Sequence, residues 1–280
     1  MFLKQKISFL LFNILFALTA FGQNLTAVNA TGAAKQRIKD FYLSNYKENG
    51  LQDWEVRGDY ATIYDKDIDI DVMKATYYTT NDEVKIMSDV AKLSKENMNI
   101  FLRDNVHIEN RQGISFDTNR LNWHRNENIV ETDDWVRVGN KSVEVKAKGF
   151  TADTALQNAD FEEDVNARFV PGGSDKKPVI ATSVGPLKID YNKGRAVFIK
   201  DVVIESEQAK IFCDKAVVFF DAKNKRMVKI ICIGKVKILK EENVTYARKA
   251  TYFAVDDRLT LEGRPKVIYF SKEGDKSPHL

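Results

Sequence analysis

The stretch Val228-Lys-Ile-Ile-Cys-Ile-Gly-Lys-Val-Lys-Ile238 decides the fold. Along an extended strand, Val228, Ile230, Cys232, Val236 and Ile238 face one way, and Lys229, Lys235 and Lys237 face the other. One face is apolar and the other wet, which indicates antiparallel sheet, because parallel strands are buried on both faces. The same alternation recurs in shorter runs. Val106 and Ile108 bracket His107, Leu121 and Trp123 bracket Asn122, and Leu259 and Leu261 bracket Thr260.

These runs form repeats. Blocks opening at Met87, Phe116, Phe212 and Tyr246 align as an apolar opener, a polar triplet and a strand, followed by a turn and a second strand ending in valine. The valines Val106, Val136, Val202, Val236 and Val267 stand 30 residues apart in the first pair and 34 then 31 in the last three. Such a period marks a repeat architecture, in which a strand pair with one apolar face must stack on its neighbours to bury it. Residues 33–46 depart from the pattern: Ile38, Phe41 and Tyr42 lie at helical spacing ahead of Asn49-Gly50 and predict a short helix in a linker over 23–50. The breakers in Val170-Pro-Gly-Gly-Ser-Asp-Lys-Lys-Pro178 predict a second linker, 171–178. It separates strand arrays over 51–170 and 179–270, and a polar tail follows over 271–280.

Composition narrows the function. The chain has 280 residues, 44% of them apolar, with 43 Lys plus Arg against 40 Asp plus Glu. It has the material for real cores, and the balanced charge argues against a nucleic-acid binder, which would concentrate its cations on one stripe. At the N-terminus, Lys4 and Lys6 precede an uncharged apolar run over 7–21, with Ala20 and Gly22 just before Gln23. That is the layout of a signal peptide over 1–22. As a helix the run would reach only about 22 Å against a hydrocarbon core of about 30 Å, so a retained membrane anchor would be a short one. Either way the body of the chain is exported. Export leaves Cys213 and Cys232 with two states, a disulfide between neighbouring strands or two buried thiols.

Motifs for chemistry are lacking. Three His and two Cys, widely scattered, do not make a zinc site without several carboxylates helping. Asp65, Asp67, Asp69 and Asp71 alternate along one run, but the glycine and glutamate that a calcium loop needs are not in place, and the reading is a solvated strand face. Asp133-Asp134 and Glu162-Glu163-Asp164 read as turn charges, and His107 as an exposed histidine. No nucleophile elbow or phosphate-binding glycine loop occurs. No catalytic residue, cofactor or metal is expected.

The order and spacing of several runs carry a resemblance. They are Trp54-Glu-Val-Arg-Gly-Asp-Tyr, Val84-Lys-Ile-Met-Ser-Asp-Val, Ile100-Phe-Leu-Arg-Asp-Asn-Val and Phe116-Asp-Thr-Asn-Arg-Leu-Asn-Trp, and then Pro186-Leu-Lys-Ile-Asp-Tyr, Ala196-Val-Phe-Ile-Lys-Asp-Val and Leu259-Thr-Leu-Glu-Gly-Arg-Pro. With them the chain resembles the periplasmic lipopolysaccharide-transport family, the LptC type in its first half and the LptA (OstA-like) type in its second. Asp104-Asn105-Val106, Lys200-Asp201-Val202 and Gly234-Lys235-Val236 stand where that family carries a Gly-Asn-Val turn. The resemblance implies an all-β fold of antiparallel β-jellyroll or β-taco repeats, in two successive arrays behind the N-terminal signal or anchor helix. It also implies a non-enzymatic periplasmic protein that holds lipid acyl chains in an open apolar groove. The partners implied are lipopolysaccharide through its lipid A acyl chains, the periplasmic domains of an inner-membrane ABC transporter, and other OstA-like proteins joined by edge-strand pairing. The groove candidates are Ile86, Leu102, Val106, Ile108, Leu121 and Trp123 in the first array. In the second they are Val217, Phe219, Val228, Ile230, Val236, Ile238, Leu259 and Leu261. A sealed core would show the same stripes. The competing reading is therefore a secreted repeat β-protein with a filled core, structural or adhesive in role. An enzyme on a parallel β-helix is a third reading, and would need a stacked carboxylate cluster that the sequence does not show.

Overall fold

The alternating runs fold as strands. A computed structural model describes residues 34–78, 83–153, 157–170, 177–221, 226–256 and 258–270, and among them seventeen strands follow one another along the chain. The first compact unit, Met1–Asn140 with Glu144–Phe161, carries β1 (Gln36–Tyr46), β2 (Gln52–Ile63), β3 (Asp67–Tyr78), β4 (Glu83–Ser94), β5 (Ile100–Asn110), β6 (Ser115–His124), β7 (Ile129–Gly139), β8 (Val143–Asp153) and the start of β9 (Asn158–Phe169). The second, Lys141–Val143 with Glu162–Leu280, carries the rest of β9. Its further strands are β10 (Val179–Ser183), β11 (Leu187–Asp190), β12 (Arg195–Glu205), β13 (Lys210–Asp221), β14 (Arg226–Lys240), β15 (Asn243–Phe253), β16 (Arg258–Glu262) and β17 (Lys266–Ile268).

Among the described residues pairing is antiparallel and runs mostly between chain neighbours. From β1 to β8 each strand pairs with the next. In the second unit β9 pairs with β10, β10 and β11 both pair with β12, and the ladder continues to β15, which takes β16 along one half and β17 along the other. The all-β antiparallel class expected from the alternation is the class observed.

Each long strand bends in its middle. The bends fall where the pairing register shifts, for example between Met87 and Val90 against β5, and between Ile233 and Val236 against β15. Left-handed backbone marks the bend in seven of them, β1, β3, β5, β8, β9, β12 and β14: Asp40, Val72, Asp104 and Asn105, Gly149, Asp164, Lys200 and Asp201, and Gly234 and Lys235 all have positive φ. An extra residue at such a bulge turns the strand and re-aims the side chain after it. That next residue is buried and apolar each time: Phe41, Met73, Val106, Phe150, Val165, Val202 and Val236. The recurring valines thus mark corners in Val106, Val202 and Val236, whereas Val267, in the short terminal β17, is 63% exposed.

One corner is strained. Val72 is β-branched, exposed and held at φ 52°, a combination that costs on the order of 1–3 kcal/mol. Val72→Asn is expected to raise unfolding stability by about 1 kcal/mol, since asparagine tolerates left-handed backbone; urea denaturation would measure it, and a loss of stability would mean that the corner carries no such strain.

In the first unit the corners divide the ladder into two leaves. One contains residues 52–57, 73–78, 83–88, 106–110, 115–118, 135–139 and 144–148, and the other contains 60–63, 67–71, 90–94, 100–103, 121–124, 129–132 and 150–153. Apolar columns cross each leaf through directly opposed residues. Val56, Ala75, Ile86, Ile108, Phe116, Val138 and Val145 form one such column. On the other leaf, Ala61, Ile70, Ala91, Leu102 and Leu121 form a second, and Ile63, Ile68, Leu93, Ile100, Trp123, Val130 and Ala152 a third.

Where the sequence predicts a helix over 33–46, the chain forms β1. Ile38 and Phe41, which suggested a helical face, straddle the Asp40 corner, and Ile38, Leu43 and Phe41 lie opposite Ala61, Val56 and Gly58 of β2. The expected leader over 1–22, the core of the linker at 171–176 and the tail over 271–280 lie outside the described residues. Among the described residues no helix is long and apolar enough to cross a membrane.

Candidate functional site

In the first unit, the inward columns of the two leaves meet around a cavity of about 40 Å³. Val56, Met73, Ala75 and Ile86 line it from one leaf, and Ile70, Ala91, Leu93, Ile100, Leu102 and Trp123 from the other. Lys92, its one charged neighbour, sets its ammonium 2.9 Å from the Asp67 carboxylate. Further along the same unit the interior is filled by aromatics, with Phe150 5.2 Å from Phe116 and 5.1 Å from Phe161 between ring centres. The space exceeds the roughly 10–15 Å³ that one water molecule needs and falls far short of the room for an acyl chain of a dozen carbons. Such a chain enters only if side chains move or the leaves part.

The groove candidates separate by face. Ile86 and Ile108 lie in the inward column of the first leaf; Leu102, Leu121 and Trp123 lie in those of the second; and Val106 is buried directly after a corner. In the second unit, Ile230 opposes Val218 and Tyr252, and Tyr252 opposes Leu259. Next to that row run Leu187, Phe198, Ala216, Cys232, Ala250 and Leu261, the first five of them buried. Val236 and Ile238 are buried beyond the corner, and Ile238 opposes Ile211.

Val217 and Phe219 are not on this face. The register sets Val217 against Val197 and Ile231, and Phe219 against Arg195 and Lys229, whose ammonium lies 4.7 Å from the Phe219 ring centre. Val228 falls at a register shift between β13 and β14 and is exposed. Alternation says which residues of one strand share a face, and β13 is apolar on both of its faces, so the face of Val217 and Phe219 depends on pairing that the sequence pattern does not display.

Cys213 and Cys232 are free, buried thiols on adjacent strands. Cys232 hydrogen-bonds to Cys213, which lowers the Cys213 thiol below its ordinary range and raises that of Cys232.

The charged runs lie on outer faces and corners. His107 Nδ1 is 2.5 Å from Asp117 Oδ1 across β5 and β6, and Arg120 holds Asp134 through two hydrogen bonds of 2.8 Å. That pairing keeps the Asp134 carboxyl below the usual range. Asp67, Asp69 and Asp71 share the outer face of β3, opposite Ser94, Lys92 and Val90. Among the described residues no group of three or more side chains is placed to hold a metal ion.

Asp69 is the costly member of that row. Burial pushes its carboxyl above the usual range, against the pull of Lys92, and Oδ1 has no hydrogen-bond partner. A carboxyl with a raised folded pKa destabilises the native state above that pKa and ceases to do so as pH falls through it. Asp69→Asn is therefore expected to raise the melting midpoint by about 1–2 °C at neutral pH, with the gap to the unaltered chain closing on acidification. A gap that widened in acid would contradict this sign.

Two known families match successive parts of the chain. Residues 9–170 match the family described as lipopolysaccharide-assembly, LptC-related, and residues 186–277 match the LptA/(LptD N-terminal domain) LPS transport protein family. Among solved structures the chain is similar to LptH, the LptA-homologous periplasmic component of the lipopolysaccharide transport device of Pseudomonas aeruginosa. The identity is 11% over 52% of this chain and 87% of that one, with a TM-score of 0.28. No curated protein matches the chain.

Proposed function

Because the chain belongs to the LptC-related lipopolysaccharide-assembly family, we propose that its first unit takes the acyl chains of lipopolysaccharide between its two apolar leaves and passes them on unaltered. The observation that carries this reading is the cavity between the leaves, lined almost wholly by apolar side chains within the matched region. Burying hydrocarbon there contributes about 0.8 kcal/mol per CH₂, so a dozen carbons supply on the order of 10 kcal/mol before ordering and opening costs. The leaves' outer faces, rich in charge, keep the headgroup in water. Exported to the periplasm, with or without an anchor over 7–21, the chain receives lipid from the periplasmic domains of an inner-membrane ABC transporter, whose ATP hydrolysis drives the transfer. The second array, past the polar stretch 171–178, carries the lipid toward the outer membrane, and strand edges join it to other OstA-like proteins.

A second reading follows from the cavity's size. A space of about 40 Å³ also fits a packed core, which keeps a few voids larger than a water molecule, and a secreted structural module would look the same without ligand.

Photo-crosslinking separates the two. A benzophenone side chain at Ile108 or Phe116, both half-buried and inward, is expected to capture lipopolysaccharide, while one at the exposed, outward Lys85 does not. Equal labelling at all three positions, or none at the inward pair, would leave the filled core as the better account.

A further inference from the structure

Three buried polar atoms on the inward face of the first unit have no hydrogen-bond partner: Ser88 Oγ, Thr118 Oγ1 and Trp123 Nε1. Ser88 and Thr118 belong to the first leaf, beside its corners, and Thr118 opposes Val106 and Val136. Trp123 belongs to the second leaf, between Ile100 and Val130, and lines the cavity.

Trp123 is the informative one. Its side chain is 3% exposed, and an indole N–H can only donate. Buried with no protein acceptor in reach, it bears the desolvation cost of an unmade hydrogen bond unless a bound molecule supplies the acceptor. A cavity meant to stay sealed would be better served by phenylalanine at this place, since tryptophan suits a core only where its N–H reaches a partner. A trough for plain hydrocarbon would have no use for the donor either. The missing acceptor therefore points to the occupant.

Building on the lipid reading above, we propose that the Trp123 indole N–H donates a hydrogen bond to an oxygen borne by the bound acyl chain, a hydroxyl or an ester carbonyl, so that the first unit selects oxygenated acyl chains over unsubstituted ones. In low-dielectric surroundings such a bond is strong, which gives one donor real selectivity. The hydroxyls of Ser88 and Thr118 are further unmatched polar atoms on the same interior, and each can either donate or accept.

The test uses the purified full chain and two probes of equal length, tetradecanoate and hydroxytetradecanoate. The unaltered chain is expected to bind the hydroxylated probe about five- to tenfold more tightly, the factor of one hydrogen bond. Trp123→Phe is expected to lose that preference, the ratio of its affinities for the two probes falling to about one. In the unaltered chain, the indole proton of Trp123 should move downfield in the NMR spectrum with the hydroxylated probe and stay in place with the plain one, a readout that does not depend on the variant folding. Equal binding of both probes by the unaltered chain, or a preference retained by Trp123→Phe, would overturn the selectivity and leave the lipid reading standing. If neither probe binds the unaltered chain, both fall together.

Discussion

Trp54→Ala is expected to cost about 3–5 kcal/mol of unfolding free energy, the largest stability loss predicted for this chain. Trp54 is only 1% exposed and lies in register with Tyr77, which in turn opposes Val84, all three buried. Removing the indole opens a cavity at one end of the first leaf that neighbouring side chains, fixed on paired strands, fill only in part. Trp135→Ala is the control. Its side chain is 57% exposed beside the corner of β7, and its loss should change stability by no more than about 0.5 kcal/mol. Urea denaturation followed by circular dichroism compares the two. Similar midpoints would mean that the Trp54–Tyr77–Val84 row is not part of the unit's core.

Ala91→Leu is expected to reduce lipid capture at least about tenfold, a difference of about 1.4 kcal/mol in binding, while the protein stays folded. Ala91 is buried in the column between Ile70 and Leu102 and lines the cavity. Added methylenes would fill a space of about 40 Å³ and press on the facing leaf; overpacking of this kind costs about 1–3 kcal/mol of stability. A retained thermal transition with lost binding of a fluorescent lipopolysaccharide would place the ligand in this space. Binding at full strength would move the site elsewhere on the molecule. Val217→Ala, in the second unit and on the face of β13 opposite Val218, should leave capture unchanged.

Alternation in 228–238 sufficed for the strand class, because the inward row Ile230, Cys232, Val236 and Ile238 and the outward lysines are present in β14 as the period predicts. The corner was legible only as a triplet, Gly234-Lys235-Val236, whose meaning is geometric: two left-handed residues, then a buried valine. The same device explains the false helix over 33–46. An extra residue at Asp40 stretches the inward spacing from two to three between Ile38 and Phe41, and on sequence alone that imitates one face of a helix. Faces across strands were not legible either. Val217 and Val218 are both apolar, and only the pairing of Val218 with Ile230 shows that Val217 and Phe219 lie on the opposite face. The unpartnered indole of Trp123 has no sequence signature, since it depends on which acceptors the folded chain leaves out of reach.

Lysine and arginine on the outer faces offer the most direct measurement, the separation of the two leaves with and without lipid. Lys85 and Arg103 are exposed, outward and on opposite leaves. Spin labels at Lys85→Cys and Arg103→Cys, with Cys213 and Cys232 replaced by alanine, would report that separation by electron–electron double resonance. An increase of several ångströms on adding lipopolysaccharide is the predicted result, since a space of about 40 Å³ is too small for an acyl chain with the leaves as they stand. An unchanged distance in a sample shown to have bound lipid would contradict the account.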